Sequence, residues 1–124
     1  ETSQYGIVKV EEAVGRQYHL TGIVEKPMPS AAPSTLGVVG RYVLTPRIFH
    51  HLQTIAPGTG GEIQLTDGIA SLLKEEGVIG YEFEGRRYDC GSKLGYLKAS
   101  VAYGLKHSEV AGEFAAYLRG LDPR

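Results

Sequence analysis

The chain has 124 residues, of which 42% are hydrophobic and 22% are charged, with a formal net charge of -1. This composition is typical of one globular domain with a hydrophobic core, and we expect residues 1–124 to form a single domain. Near-zero net charge gives no sign of nucleic acid or an anionic membrane as a partner. Cys90 is the only cysteine, and no apolar run approaches the ~20 residues that span a bilayer. We therefore expect a soluble, cytoplasmic protein without an internal disulfide.

The first third of the chain predicts a β-hairpin followed by a loop and a strand. Residues 5–10 and 18–25 are extended apolar segments with a polar stretch between them, as in a hairpin. Three prolines within residues 27–35 exclude a helix interior or a central strand there. Residues 36–44 are apolar or glycine apart from Arg41, which is typical of a strand covered on both faces.

Helical signals follow this segment. Thr45 and Pro46 predict a helix start, with the threonine as the cap and the proline at the first helical position. The predicted buried stripe of this helix consists of Ile48, Phe49 and Leu52.

The remaining elements are two helical regions separated by a strand. A second helix is predicted to end near Gly77, and residues 79–84 alternate as a half-buried strand does. Two amphipathic helices are predicted to close the chain, on the spacing of Leu94, Leu97, Val101 and Leu105 and then of Val110, Phe114, Tyr117 and Leu118. The predicted class is α/β, a mixed sheet with flanking helices.

Glu25 and Lys26 close the second extended segment, directly before Pro27. A carboxylate can accept hydrogen bonds from two sugar hydroxyls, and a lysine ammonium suits a phosphate oxygen. Since successive strand residues point to opposite faces, both side chains can serve one ligand only if that ligand wraps around the strand end or if the pleat breaks there. Pro27 favours such a break. For the dipeptide alone, a solvated charge pair is the commoner arrangement.

Asp89 precedes Gly91 and an amphipathic helix. A strand-to-helix loop would hold its carboxylate near the ligand-binding edge of a sheet. Mg²⁺ prefers one or two such carboxylates, completed by substrate phosphates and water. For a single acid, a role in a turn or a helix cap is the commoner alternative.

Five motifs occur in a fixed order along the chain: YGIV at 5–8, IVEKP at 23–27, GRYVLTP at 40–46, GGEIQLTD at 60–67 and RYDCGSKLGYLKA at 87–99. In this order and spacing, the sequence from residue 5 to about residue 106 resembles the bacterial UTP-glucose-1-phosphate uridylyltransferases. Nucleotidyltransferases for other sugars share looser versions of these motifs, whereas GGEIQLTD and GRYVLTP indicate the uridylyl enzymes.

The resemblance implies a partial nucleotide-diphosphosugar transferase fold and the reaction of UTP with glucose 1-phosphate to UDP-glucose and pyrophosphate. By position in the family motifs, Glu25 is expected to bind glucose hydroxyls, and the backbone at Gly6 the sugar. Lys26 is expected to bind the glucose-linked phosphate and to be the catalytic residue of this section. Asp89 is expected to be one of two aspartates that bind Mg²⁺.

The family's amino-terminal half has no counterpart in this sequence, which lacks the glycine-rich nucleotide loop, the lysine associated with it and the first metal-binding aspartate. We therefore expect residues 1–124 to be the carboxy-terminal, sugar-phosphate-binding half, inactive or nearly so without the missing N-terminal half as its partner. The alternative is a non-catalytic sugar-phosphate-binding or assembly module. Because half a sheet exposes strand edges that can pair between copies, a homo-oligomer is expected as well.

Overall fold

The computed structural model describes residues 2–121, apart from the side chain of Thr59. The chain divides into two compact units, Glu1–Phe83 and Glu84–Arg124. Besides the strands and α-helices given below, three short 3-10 turns occur at Thr2–Gln4, Pro29–Ala31 and Thr59–Gly61.

The first unit begins with the predicted hairpin. Strand β1 (Gly6–Val14) pairs antiparallel with β2 (Gln17–Glu25). The two strands are joined by a two-residue turn in which Gly15 has a φ of 60°, a left-handed conformation that glycine adopts without a steric penalty. Both strands extend through the polar stretch that we expected to separate them, because backbone pairing continues to a tight turn even where the side chains face solvent.

A third strand, β3 (Ile79–Tyr81), pairs antiparallel with β2, so that the sheet order is β1-β2-β3. The predicted strand at residues 79–84 is therefore only three residues long. Its apolar side chains are also not half-buried as predicted, since Ile79 is 53% exposed and Tyr81 is 66% exposed. The part of the unit that the structure describes leaves this face of the strand uncovered.

The predicted strand at residues 36–44 is wrong. This segment makes one isolated bridge, between Gly37 and Ile7 of β1, and is irregular beyond it. The N–H groups of Val8 and Val38 donate to the carbonyl oxygens of Leu36 and Gly6 at 3.0 and 2.9 Å. A strand needs a neighbouring strand along its length, and within the described part of this unit β1 supplies one only for the first residues of the segment.

Helices α1 (Arg47–Thr54) and α2 (Leu65–Leu72) form the other layer of this unit. α2 contacts both α1 and β2. The buried core consists of Val8, Ile23, Ile48, Ile69 and Leu72. Both helices were predicted, and α2 ends a short turn before Gly77.

Two details predicted for α1 are wrong. Pro46 is the N-cap residue rather than the first helical residue, and no side chain caps the helix. The hydroxyl of Thr45 instead donates to Oε2 of Glu76 at 2.8 Å. Phe49 is 66% exposed, and His51 takes the buried place, because it lies three residues after the buried Ile48 and so on the same helix face.

The second unit contains the two predicted closing helices, α3 (Lys93–Gly104) and α4 (Ala111–Arg119). A side chain at Gly104 would lie 2.7 Å from the ring of Phe114, so the absence of one lets these helices approach. The predicted apolar stripe on α3 is largely exposed. The buried residue of this helix is Ala99, which was not part of the stripe. The α/β class is confirmed. Every strand pair within residues 2–121 is antiparallel, in place of the mixed sheet that was expected. No helix among these residues has the length and apolar character needed to cross a bilayer.

Candidate functional site

Glu25, Gly6 and Thr66 meet at the open end of the hairpin. Glu25 is the last residue of β2 and pairs with Gly6, the first residue of β1. Oγ1 of Thr66, a buried residue in the first turn of α2, donates a hydrogen bond to Oε2 of Glu25 at 2.9 Å. The side chain of Glu25 is only 14% exposed. One oxygen of the carboxylate is therefore fixed by the fold.

Gly6 is needed for this arrangement because no side chain fits there. A Cβ at this position would lie 2.9 Å from Cγ2 of Thr66, 3.0 Å from Cγ2 of Val38 and 3.3 Å from Oε2 of Glu25. Any larger residue would displace the threonine or the carboxylate that it holds. The backbone of β1 at Gly6 is buried beneath these side chains, so the glycine allows close packing of β1 against α2 and the end of β2.

Lys26 breaks the strand alternation directly after Glu25. Its φ is 43°, the only positive φ of a non-glycine residue within residues 2–121. A hydrogen bond of 3.0 Å from its N–H to the carbonyl oxygen of Tyr5 holds this left-handed backbone. As a result, Nζ of Lys26 lies 3.7 Å from Oε1 of Glu25, whereas a regular pleat would send the two side chains to opposite faces. The predicted break in the pleat is confirmed.

The surroundings of this pair suit an anionic ligand with hydroxyl groups. The Lys26 side chain is 52% exposed, so its ammonium group can reach a phosphate. Oε1 of Glu25 lies next to this cation, while Oε2 is held by Thr66. A carboxylate beside an ammonium group can accept hydrogen bonds from hydroxyls while the ammonium neutralises a phosphate oxygen.

The phenol of Tyr42 interacts electrostatically with Glu25. Burial raises the pKa of this phenol, and the negative charge of Glu25 raises it further. The phenol therefore lies within the electrostatic field of the carboxylate. Its hydroxyl remains protonated and able to donate a hydrogen bond at neutral pH.

Sequence reasoning did not identify Thr66 as a site residue, although it lies in the motif GGEIQLTD at 60–67. Thr66 lies three residues before the buried Ile69 and thus on the same face of α2. That spacing was the available signal. Nothing in the sequence alone indicated which buried acceptor the hydroxyl would meet.

Asp89 belongs to the second unit, whereas Gly6, Glu25 and Lys26 come together in the first. Oδ1 of Asp89 accepts a hydrogen bond of 3.0 Å from the N–H of Gly91, as in an Asx turn. The cap of α3 is Ser92, whose Oγ accepts from the N–H of Gly95 at 3.0 Å. Among residues 2–121 there is no group of three or more His, Cys, Asp or Glu side chains suited to a metal ion.

The fold matches solved structures of one enzyme class. The chain is 46% identical to a structure described as UTP-bound UGPase from Acinetobacter baumannii, with a TM-score of 0.82 over 98% of this chain and 41% of that one. It is 45% identical to a UDP-glucose pyrophosphorylase complexed with UDP-glucose, with a TM-score of 0.80 over 86% of this chain and 40% of that one. The fold is therefore that of part of a nucleotidyltransferase.

Sequence comparison finds relatives that share one name within this class. No family profile matches the chain. The chain is 43% identical over 122 residues to the UTP–glucose-1-phosphate uridylyltransferase of Staphylococcus epidermidis and 46% identical over 121 residues to the UTP–glucose-1-phosphate uridylyltransferase 2 of Staphylococcus saprophyticus. Each match covers 98% of this chain and 42% of the relative. The predicted resemblance to the uridylyltransferases is confirmed, and the chain spans about 42% of the length of these curated relatives.

Proposed function

We propose that the chain is the carboxy-terminal, sugar-phosphate-binding section of an enzyme that makes UDP-glucose and pyrophosphate from UTP and glucose 1-phosphate. The observation that carries this proposal is the position of Lys26, whose left-handed backbone brings Nζ to 3.7 Å from the Glu25 carboxylate. The similarity to uridylyltransferases over 98% of the chain supports it. The alternative of a non-catalytic binding module has no observation in its favour.

Each site residue has a proposed role that follows from its surroundings. Glu25 accepts hydrogen bonds from sugar hydroxyls through Oε1, because Thr66 already donates to Oε2. Lys26 binds the sugar phosphate with its exposed ammonium group. The backbone at Gly6 contacts the sugar, since Gly6 pairs with Glu25 at the same end of the hairpin.

The proposed reaction requires no nucleophile from the protein. An oxygen of glucose 1-phosphate forms a bond to the α-phosphorus of UTP, and the bond from that phosphorus to the oxygen bridging to the β-phosphate breaks, so that pyrophosphate leaves. Both reactants are anions that repel each other. A fixed carboxylate that orients the sugar and an ammonium group that neutralises its phosphate therefore supply positioning and charge compensation.

Mg²⁺ is the proposed cofactor, with Asp89 as one ligand. The half-buried carboxylate of Asp89 is oriented by the Gly91 N–H, and an oxygen donor of this kind fits a hard cation. Because residues 2–121 offer no cluster of ligands, substrate phosphates and a second carboxylate from elsewhere in the enzyme would complete the site. When bound, the cation would reduce the negative charge on the phosphates.

Further proposals concern the partner, the location and the oligomeric state of the protein. The nucleotide-binding half is the proposed partner, since about three fifths of a solved relative lies outside the match. A cytoplasmic location and a role in carbohydrate metabolism stay predictions. A homo-oligomer stays a prediction.

Binding of UDP-glucose to the 124-residue chain tests the proposal. We expect millimolar UDP-glucose to shift the amide NMR signals of Gly6 and Lys26, and Lys26→Ala to weaken binding about 10-fold, equivalent to about 1.4 kcal/mol. Lys74→Ala is the control, because Lys74 is an exposed lysine in the turn after α2. Binding that responds equally to both substitutions contradicts the proposed site. Synthesis of UDP-glucose by the chain alone at the rate of an intact enzyme contradicts its assignment as a section.

A further inference from the structure

An open apolar groove crosses the first unit. It is lined by residues 36–39, 41–44 and 78–83 and by side chains of the sheet. Buried core residues of β1, β2 and α2 form part of its lining. Six large hydrophobic residues along it are exposed: Val39, Tyr42, Val43, Ile79, Tyr81 and Phe83. Val43 is 101% exposed, which leaves its whole side chain in water.

The sequence pattern of residues 36–44 indicates that this surface is covered in the working protein. An apolar run of this kind is typical of a segment buried on both faces. In the first unit Leu36 and Val38 are half-buried, while Val39, Tyr42 and Val43 face solvent. A contiguous apolar surface of this kind marks a site of interaction.

A small-molecule ligand does not suit the groove. Its volume is about 240 Å³, below the ~300–1,000 Å³ usual for ligand pockets, which also present several convergent polar groups. Of the five polar side chains that line the groove, the phenol of Tyr18 and the carboxylate of Glu82 bond to each other at 2.6 Å. The other three are Arg41, Tyr42 and Tyr81, among mostly aliphatic residues. The groove thus offers mainly apolar contact, which suits protein side chains.

The comparisons indicate which polypeptide is available to cover it. A solved relative matches 98% of this chain with a TM-score of 0.82, yet the match covers only 41% of that relative. About three fifths of the relative is therefore additional polypeptide attached to the same fold. We propose that the apolar groove is the docking surface for this additional section of a uridylyltransferase, an inference that rests on the proposed function.

A chimera provides the test, in which this chain replaces the matching section of the Staphylococcus epidermidis relative. Val43→Asp is made in the chimera and in the isolated 124-residue chain, and thermal unfolding is followed in both. We expect almost no change in the isolated chain, where Val43 is fully exposed. In the chimera we expect the midpoint to fall by roughly 5 °C or more, because a charge would be buried at the docked surface.

Val14→Asp is the matched control. Val14 is also an exposed valine, at 62%, and does not line the groove, so its substitution should shift both proteins equally. An equal shift in both proteins for Val43→Asp overturns the proposal. A chimera that fails to fold also counts against it, because the groove then does not accept the additional section.

Two further readouts separate this proposal from other outcomes. Sedimentation of the isolated chain shows whether a second copy covers the groove. A homodimer abolished by Val43→Asp but not by Val14→Asp would assign the surface to self-association and overturn the proposal. UDP-glucose synthesis by the chimera is assayed separately. A chimera that folds and shows the expected Val43→Asp effect but is inactive would support the docking surface and contradict the proposed function.

Discussion

The hydroxyl of Thr66 donates a hydrogen bond to Oε2 of Glu25 at 2.9 Å and so connects the first turn of α2 to the end of β2. The threonine is 5% exposed and the glutamate side chain 14% exposed, so that water competes little for this bond. The contact gives the carboxylate one orientation before any ligand arrives.

Removing the Thr66 hydroxyl should loosen the carboxylate. Hydrogen bonds to charged groups contribute about 1.5–3 kcal/mol, and Thr66→Val removes the donor while keeping the shape. We expect a loss of about 1–2 kcal/mol in the free energy of unfolding, measured by urea denaturation, and weaker binding of UDP-glucose. Thr21→Val is the control, because its exposed hydroxyl makes a long contact of 3.5 Å with the Lys9 carbonyl. Equal losses of unfolding free energy in both variants would show that the bond to Glu25 contributes no more to stability than an exposed hydroxyl does.

A methyl group at Gly6 should disturb the same contact. Because its Cβ would lie 2.9 Å from Thr66 Cγ2, Gly6→Ala should destabilise the chain by about 1–3 kcal/mol and weaken ligand binding. Gly112→Ala on α4 is the control, since a Cβ there meets nothing within 4 Å and alanine favours a helix. A Gly6→Ala variant as stable as Gly112→Ala in urea would contradict the tight packing.

The backbone of Lys26 should reveal a conflict between stability and function. A left-handed conformation costs a residue with a Cβ about 1–2 kcal/mol. Lys26→Gly and Lys26→Ala should both lose affinity for UDP-glucose, whereas the glycine variant should be the more stable by about 1 kcal/mol. Urea denaturation of the two variants measures the difference. An alanine variant of equal or greater stability contradicts the strained backbone.

The ion pair between Arg47 and Glu75 should make stability depend on pH. The hydrogen bond from Arg47, at 2.9 Å to Oε2, lowers the pKa of Glu75 from its ordinary value of 4.5. Since the pKa is lower in the folded state, the pair stabilises the fold above pH 4.5, and this stabilisation is lost as the pH falls through the lowered value. The effect should be small because both side chains are nearly half exposed.

Comparison with Glu75→Gln measures this contribution. The difference in urea midpoint between the wild type and the variant should be largest near neutral pH and should shrink toward zero in acid. High salt should reduce the difference as well. A difference in urea midpoint that stays constant from neutral to strongly acidic pH would show that the charge of Glu75 does not contribute to stability.

Local signals were enough to predict the hairpin and the helices. A polar stretch between two extended apolar segments indicated the hairpin, and the spacing of apolar residues indicated each helix. The pair Glu25–Lys26 was also found, together with the need for a break in the pleat. Such features depend on neighbouring residues, which a sequence displays directly.

Features that depend on distant partners were missed. Residues 36–44 have the composition of a buried strand, but pairing requires a neighbour that the first unit supplies only near Gly37. His51, for which no burial was predicted, is buried in place of the predicted Phe49. The packing of α1 against α2, rather than hydrophobicity, decides which side chain is buried. The bond from Thr66 to Glu25 joins residues that are 41 positions apart, and no local pattern indicates it.

The central claim is that Gly6, Glu25 and Lys26 form the sugar-phosphate site of a uridylyltransferase. Its most direct test is the rate of UDP-glucose synthesis by the chimera with the Staphylococcus epidermidis relative, measured as kcat/KM for glucose 1-phosphate. We predict an active chimera that loses about 100-fold or more with Lys26→Ala, because a charge that compensates the phosphate is removed, and that is unchanged by Lys74→Ala. A folded chimera that is inactive, or one that keeps full activity with Lys26→Ala, would contradict the claim.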